Sequence, residues 1–233
     1  MLYVRRSQDR GHANHGWLDS YHTFSFADYH DPKFMGFSVL RVINEDRISG
    51  GNGFPTHPHR DMEIITYIIE GALQHEDTLG TKAVIKPGDV QRMSAGTGIR
   101  HSEYNALENQ PTHLLQIWLL TEKNGIPPGY EQKNFNERLS NGQLNLVASR
   151  DGREGSITVH QDVSLFAARV SAGAQLEHKL EKGRSCWVQV VKGAIETTSG
   201  ETLRPGDGLA VTGESRVKLA ASGDAELLLF DLP

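Results

Sequence analysis

Short apolar runs rich in valine, isoleucine, leucine and aromatic residues recur at 37–42, 63–69, 114–119, 185–191 and 226–230, with glycine, proline, asparagine or aspartate between them. Each run is the length of a strand. No segment longer than about a dozen residues holds a capped helical period, and the best helix candidate is the short polar stretch 130–139. The pattern predicts an all-β protein. The aromatic-rich stretch WLDSYHTFSFADY at 17–29 is expected to alternate along a strand and pack a barrel interior rather than line a pocket.

Between 121 and 142 the chain turns polar and carries two prolines and three glycines, which reads as a connector between halves. The expected division is 1–135 and 136–233. The halves look like diverged copies. Glu70-Gly71-Ala72 ends an apolar run and Pro87-Gly88-Asp89 follows; Lys192-Gly193-Ala194 ends another and Pro205-Gly206-Asp207 follows. A repeated strand, turn, strand and Pro-Gly-Asp turn predicts two β-barrels built alike.

A net charge of -5 gives no basic footprint for nucleic acid or an anionic membrane. No run of eighteen apolar residues occurs and the first residues lack the apolar stretch of a secretory signal, so a soluble, cytoplasmic protein is expected. Cys186 is the only cysteine, which excludes an internal disulfide and a cysteine metal cage. Lying in the apolar run SCWVQVV, it reads as an inert core residue. Any metal must rest on nitrogen and oxygen.

Among eleven histidines, His57 and His59 stand two apart in GFPTHPHRD, so on an extended strand both rings project from one face. His101 and Glu103 repeat that spacing after the glycine-rich turn SAGTG at 94–98, which is read as delivering His101 to the barrel. Two such pairs on neighbouring strands would supply three neutral nitrogens and one anionic oxygen to one divalent ion. Iron is taken first, with manganese, cobalt, nickel, copper and zinc also suited. Four protein ligands leave one or two positions open for a guest, and Glu103 could both bind the ion and take a proton.

His12, His15, His22, His30, His75, His113, His160 and His178 lack comparable pairing and are read as surface or hydrogen-bonded. The repeat serves as a control. Aligned on its glycines, the second half carries Lys179 and Glu181 opposite His57 and His59, and Leu219 and Ala221 opposite His101 and Glu103. No metal site is expected there.

Gly51-x5-His57-Pro58-His59 with Glu63 and Gly71, followed by Gly88-x12-His101-x3-Asn105, resembles the two cupin motifs. RGHANHGWLDSYHTFSFADYHDPKFMGFSVLRVIN, HPHRDMEI and MSAGTGIRHSEYN narrow this to the pirin family, and to its bacterial members assayed as quercetin 2,3-dioxygenases. The resemblance spans essentially the whole chain and is most specific in its first half. It implies two jelly-roll cupin domains in one chain, a bicupin. Seven residues separate Glu63 from Gly71, and the ordinary cupin glutamate position falls on Ile64. Pirins are similar, taking their carboxylate from the position of Glu103. Glu63 is left as a weaker ligand candidate, an acceptor orienting a histidine, or a surface group beside Arg60.

The resemblance also implies a flavonol that binds through its 3-hydroxyl and 4-carbonyl region, loses a proton and reacts with O2, opening the ring and releasing carbon monoxide. His57, His59 and His101 would hold the ion, with Glu103 as ligand and proton acceptor. The alternative is a redox-sensing or regulatory pirin acting through protein partners.

Overall fold

The computed structural model describes all 233 residues and divides into two compact units. One comprises Gly11–Phe135 with Ile157–Gln161; the other comprises Met1–Arg10, Asn136–Ser156 and Asp162–Pro233. The first ten residues thus belong with the second half of the chain, because Leu2–Arg5 pairs in antiparallel register with Gly208–Thr212.

The first unit holds a seven-stranded sheet in the order Gly129–Asn134, Asp89–Ser94, Met62–Glu70, Thr112–Leu120, Leu40–Ile48, Leu18–His22 and Gly11–Asn14. A four-stranded sheet runs Gly53–His59, Ile99–Asn105, Leu73–Asp77 and Lys82–Ile85. Met62–Glu70 is central and covered on both faces, so its residues from Glu63 to Ile69 are all buried and it reads as a near-continuous apolar run, interrupted by Glu63 and Thr66. Ile99–Asn105 instead alternates, with Ile99, His101, Glu103 and Asn105 inside. Apolar packing fixes these strands through Leu18, Ile48, Ile68, Leu73, Ile85 and Leu114, and separately through Ile64, Met93, Ala95 and Ile99.

The second unit repeats the order. Gly208–Thr212, Ser185–Lys192, Ala225–Leu232, Ser164–Val170 and Asn145–Ser149 follow one another in the larger sheet, and Gln175–Lys179, Arg216–Ala221, Ile195–Thr197 and Thr202–Leu203 form the smaller. Each strand has its counterpart in the first unit. Gly71 and Gly193 occupy matching turns at φ of +82° and +72°, and a Cβ there would lie 2.9 Å from the Pro111 carbonyl oxygen and 2.0 Å from that of Asp224. Only glycine fits. Leu219 and Ala221, opposite His101 and Glu103, pack into the second unit's apolar core with Val188, Ile195, Leu227 and Leu229. Cys186 is buried in the same cluster.

Two local expectations require correction. The stretch 130–139 forms the strand Gly129–Asn134 and only a four-residue helix, Asn136–Leu139. That strand pairs on one side alone, with Asp89–Ser94, and an edge strand tolerates polar side chains that hide its alternation. Residues 129–134 of the polar segment are therefore part of a sheet, and the change from one unit to the other falls within the segment, between Phe135 and Asn136. In the run 37–42 the strand begins at Leu40, because Phe37 and Leu40 close a turn through reciprocal backbone hydrogen bonds of 2.8 and 2.9 Å.

Candidate metal centre

His57 and His101 stand opposite each other on the adjacent strands Gly53–His59 and Ile99–Asn105, and a register shift follows before Glu103 meets Phe54. Such a bulge turns side chains that a regular ladder would hold parallel. His57, His59 and His101 each place a ring nitrogen within 4.8 Å of the other two. Glu103 joins a second group with His75 and His101 at the same limit, but not the trio of His57, His59 and His101. All four expected residues therefore reach one region, with the carboxylate set to one side of the histidine cluster.

The proton positions decide what this cluster can hold. His57 Nδ1 lies 2.8 Å from the Pro55 carbonyl oxygen, which only accepts, so Nδ1 carries the ring proton and neutral His57 presents a bare Nε2. That atom lies 3.0 Å from His101 Nε2. The contact accommodates one shared proton or one cation. Two nitrogens each ~2.1 Å from an ion and at right angles about it stand about 3 Å apart, so the spacing suits a cation. Burial, with repulsion from His57, lowers the His59 pKa to about 4. Burial and the neighbouring His57, His59 and His75 hold His101 lower still. Both rings are kept as neutral donors, the form that binds metal.

Glu103 is buried, and both its oxygens accept from Gln116 Nε2, at 2.9 and 3.1 Å. Gln116 is itself held by Thr66 Oγ1 at 3.0 Å. Burial raises the Glu103 pKa to about 7, with the Gln116 hydrogen bond opposing and the charge of Asp46 adding to the rise. In donor chemistry, three imidazoles and a carboxylate suit a divalent first-row ion, and Glu103, outside the 4.8 Å limit of the trio, would have to close on the ion to complete the set.

His57, His59 and Glu103 open onto a cavity of about 880 Å³, lined also by Trp17, Phe26, Tyr29, Phe54, Gln116 and Trp118. The stretch 17–29, expected to fill a core, therefore largely walls this cavity. Phe24 alone among its phenylalanines is fully packed. The segment leaves its strand after His22 and turns back through the Phe26–Tyr29 bridge, which redirects rings that strict alternation would have buried.

His75, read from the sequence as a surface or hydrogen-bonded histidine, is hydrogen-bonded and also joins a donor group, which that reading did not foresee. It is fully buried, with Nδ1 3.4 Å from His101 Nδ1 and Nε2 2.9 Å from Asp77 Oδ2. The spacing His75-Glu76-Asp77 was the available signal. Glu63 is not a surface group and is in neither donor group; it is an acceptor against a histidine, but that histidine is His160. Glu63 is fully buried and accepts from the His160 backbone N–H at 3.1 Å, with His160 Nδ1 at 3.2 Å and Arg92 Nε at 3.9 Å. Arg60 pairs with Asp61 instead. His12, His113 and His178 are paired to Asp19, Glu45 and Asp231 at 2.6, 2.8 and 2.7 Å, in keeping with their hydrogen-bonded reading.

Comparison with known proteins agrees with this architecture along the whole chain. The pirin family model matches residues 3–119, and that of the quercetinase C-terminal cupin domain matches 146–232. Quercetin 2,3-dioxygenase of Escherichia coli K12 is 52% identical over 233 residues, covering 100% of this chain and 99% of that protein. The crystal structure of YhhW from Escherichia coli superposes with a TM-score of 0.96 at 51% identity, covering 100% of this chain and 98% of that one. The bacterial pirin YhhW in complex with nickel(II) superposes with a TM-score of 0.95 at 51% identity, covering 100% and 99%.

Proposed function

The chain belongs to the pirin family, with two cupin domains in one polypeptide, and from that premise we propose that it is a metal-dependent dioxygenase. Its substrate is a flavonol of the quercetin type, whose ring is opened by O2 with release of carbon monoxide. His57, His59, His101 and Glu103 are the proposed ligands. The observation that carries the reading is the convergence of three imidazole nitrogens within 4.8 Å beside a cavity large enough for a flavonol and walled by aromatic rings. The name of the 52% identical relative supplies the substrate class.

When bound, a divalent ion supplies Lewis acidity toward the flavonol 3-hydroxyl and 4-carbonyl oxygens and draws Glu103 toward its ionised form. The rest falls to the chain. Glu103, the buried carboxylate beside the cavity, accepts the 3-hydroxyl proton on an oxygen already oriented by Gln116. Gln116 cannot swing away without breaking its bond to Thr66. Trp17, Phe26, Phe54 and Trp118 stack against the planar substrate and exclude water, which strengthens the electrostatic stabilisation of the enolate.

The test is turnover in air of the purified protein loaded separately with iron, manganese, cobalt, nickel, copper and zinc. Loss of flavonol absorbance with matching O2 uptake and carbon monoxide release is expected for at least one metal. Failure with every metal would overturn the enzymatic reading in favour of a regulatory, partner-binding pirin. Flavonol loss without O2 uptake would assign a Lewis-acid reaction other than dioxygenation.

A further inference from the structure

Behind the histidine cluster runs a chain of side chains that the reaction as described does not use. His75 and Asp77 stand in register with Glu103 and His101 on the neighbouring strand, and both of their side chains are fully buried. Asp77 is anchored independently of any histidine. Its Oδ1 accepts from the backbone N–H groups of Leu79 and Thr81 at 2.9 and 3.1 Å, in a turn where Gly80 takes a φ of +88°. Its Oδ2 meets His75 Nε2 at 2.9 Å, His75 Nδ1 meets His101 Nδ1 at 3.4 Å, and His101 Nε2 points to His57 Nε2.

The ring protons of this chain fit in one order. A ligand nitrogen must offer a lone pair, so a metal-binding His101 Nε2 is bare and its proton sits on Nδ1. That proton needs an acceptor, and the facing atom is His75 Nδ1. Accepting there puts the His75 proton on Nε2, where an acceptor-only carboxylate receives it. The opposite order would press Asp77 against a bare nitrogen in a buried place and move the His101 proton onto the atom that faces the ion. It would leave two acceptors in contact and block the ligand.

We propose that Asp77 and His75 are positioning residues that fix His101 as its Nδ1–H tautomer, keeping the Nε2 lone pair aimed at the metal site. This rests on the ligand role of His101 given above. His75 is not among the residues lining the cavity and acts through His101 rather than on the substrate.

The experiment measures nickel(II) affinity by calorimetry, together with the histidine tautomers of the metal-free protein by 15N-resolved NMR. Asp77→Asn keeps an oxygen for the Leu79 and Thr81 amides but can turn an N–H toward His75, reversing the chain. It is expected to weaken nickel binding about tenfold to hundredfold and to move the His101 proton to Nε2. His75→Gln, whose amide oxygen can still accept from His101, should retain the Nδ1–H form and most of the affinity, whereas His75→Phe should lose both. Wild-type affinity and an unchanged His101 tautomer in Asp77→Asn would overturn the proposal. So would equal affinities in His75→Gln and His75→Phe, a comparison that stands even where Asp77→Asn does not fold. His101→Ala separates the two levels. If it binds nickel like wild type, the ligand reading itself fails; if it loses nickel while Asp77→Asn does not, only the positioning role fails.

Discussion

Asp46 offers a quantitative test of how the cavity wall is built. Its side chain lies among the cavity-lining residues, is 5% exposed and accepts a hydrogen bond from Ser20. Burial raises its pKa from 3.8 to about 7; the Ser20 bond opposes this, and the charges of Glu45 and Asp19 add to it. Between those two values the folded protein holds a proton that the unfolded chain has released, so stability falls as pH rises through this window and levels off above about 7. At ~1.4 kcal/mol for each pKa unit, the ceiling on this loss is roughly 4 kcal/mol. An asparagine side chain in its place would carry no charge and could still accept from Ser20. Asp46→Asn is therefore expected to match wild type near pH 4 and to become progressively more stable than it toward pH 8. Urea denaturation of both proteins, metal-free in chelator, at half-unit steps from pH 4 to 8 measures this difference. Titrations common to the two proteins largely cancel, apart from relief of the neighbouring Glu103. A stability difference that stays flat across the window would refute the buried-acid reasoning.

Three further outcomes follow from other parts of the molecule. His101→Ala removes the one residue common to both donor groups, and elemental analysis should show metal content falling well below that of wild type. Gln116→Leu strips Glu103 of both its hydrogen bonds; since those bonds hold the carboxyl pKa down, the ascending limb of kcat/KM against pH should move to higher pH, with turnover at pH 7 reduced about tenfold or more. Gly193→Ala places a Cβ 2.0 Å from the Asp224 carbonyl oxygen at φ +72°, while Gly51→Ala at φ +69° meets nothing within 4 Å. Thermal melts should show the first losing clearly more than the roughly 1 kcal/mol expected for strain alone in the second.

Much of this architecture was legible because its signals are local. Strand-length apolar runs and paired Gly and Pro-Gly-Asp turns gave the all-β class and its internal repeat. The i, i+2 spacing of His57 with His59 and of His101 with Glu103 placed each pair on one strand face. What escaped depends on partners far along the chain. His75 gains its meaning from the register that sets it opposite Glu103; Asp77 two residues on signals a hydrogen bond, but not that pairing. Glu63 meets His160, 97 residues later, so its burial could not be read from Arg60 beside it. The strand Gly129–Asn134 is held by backbone pairing at a sheet edge, which leaves little trace in side-chain pattern. The rings at 17–29 were expected inside a core because their composition suits either a core or a cavity wall. The turn at Phe26–Tyr29 decides between the two.

X-ray absorption at the metal edge, before and after anaerobic addition of quercetin, is the most direct measurement of whether these side chains make an open centre. The expected result is one ion carrying three imidazole nitrogens and a carboxylate oxygen, with one or two further light-atom positions that change when the flavonol binds. A first shell without imidazole, or one already saturated by protein and unaltered by the flavonol, would contradict it.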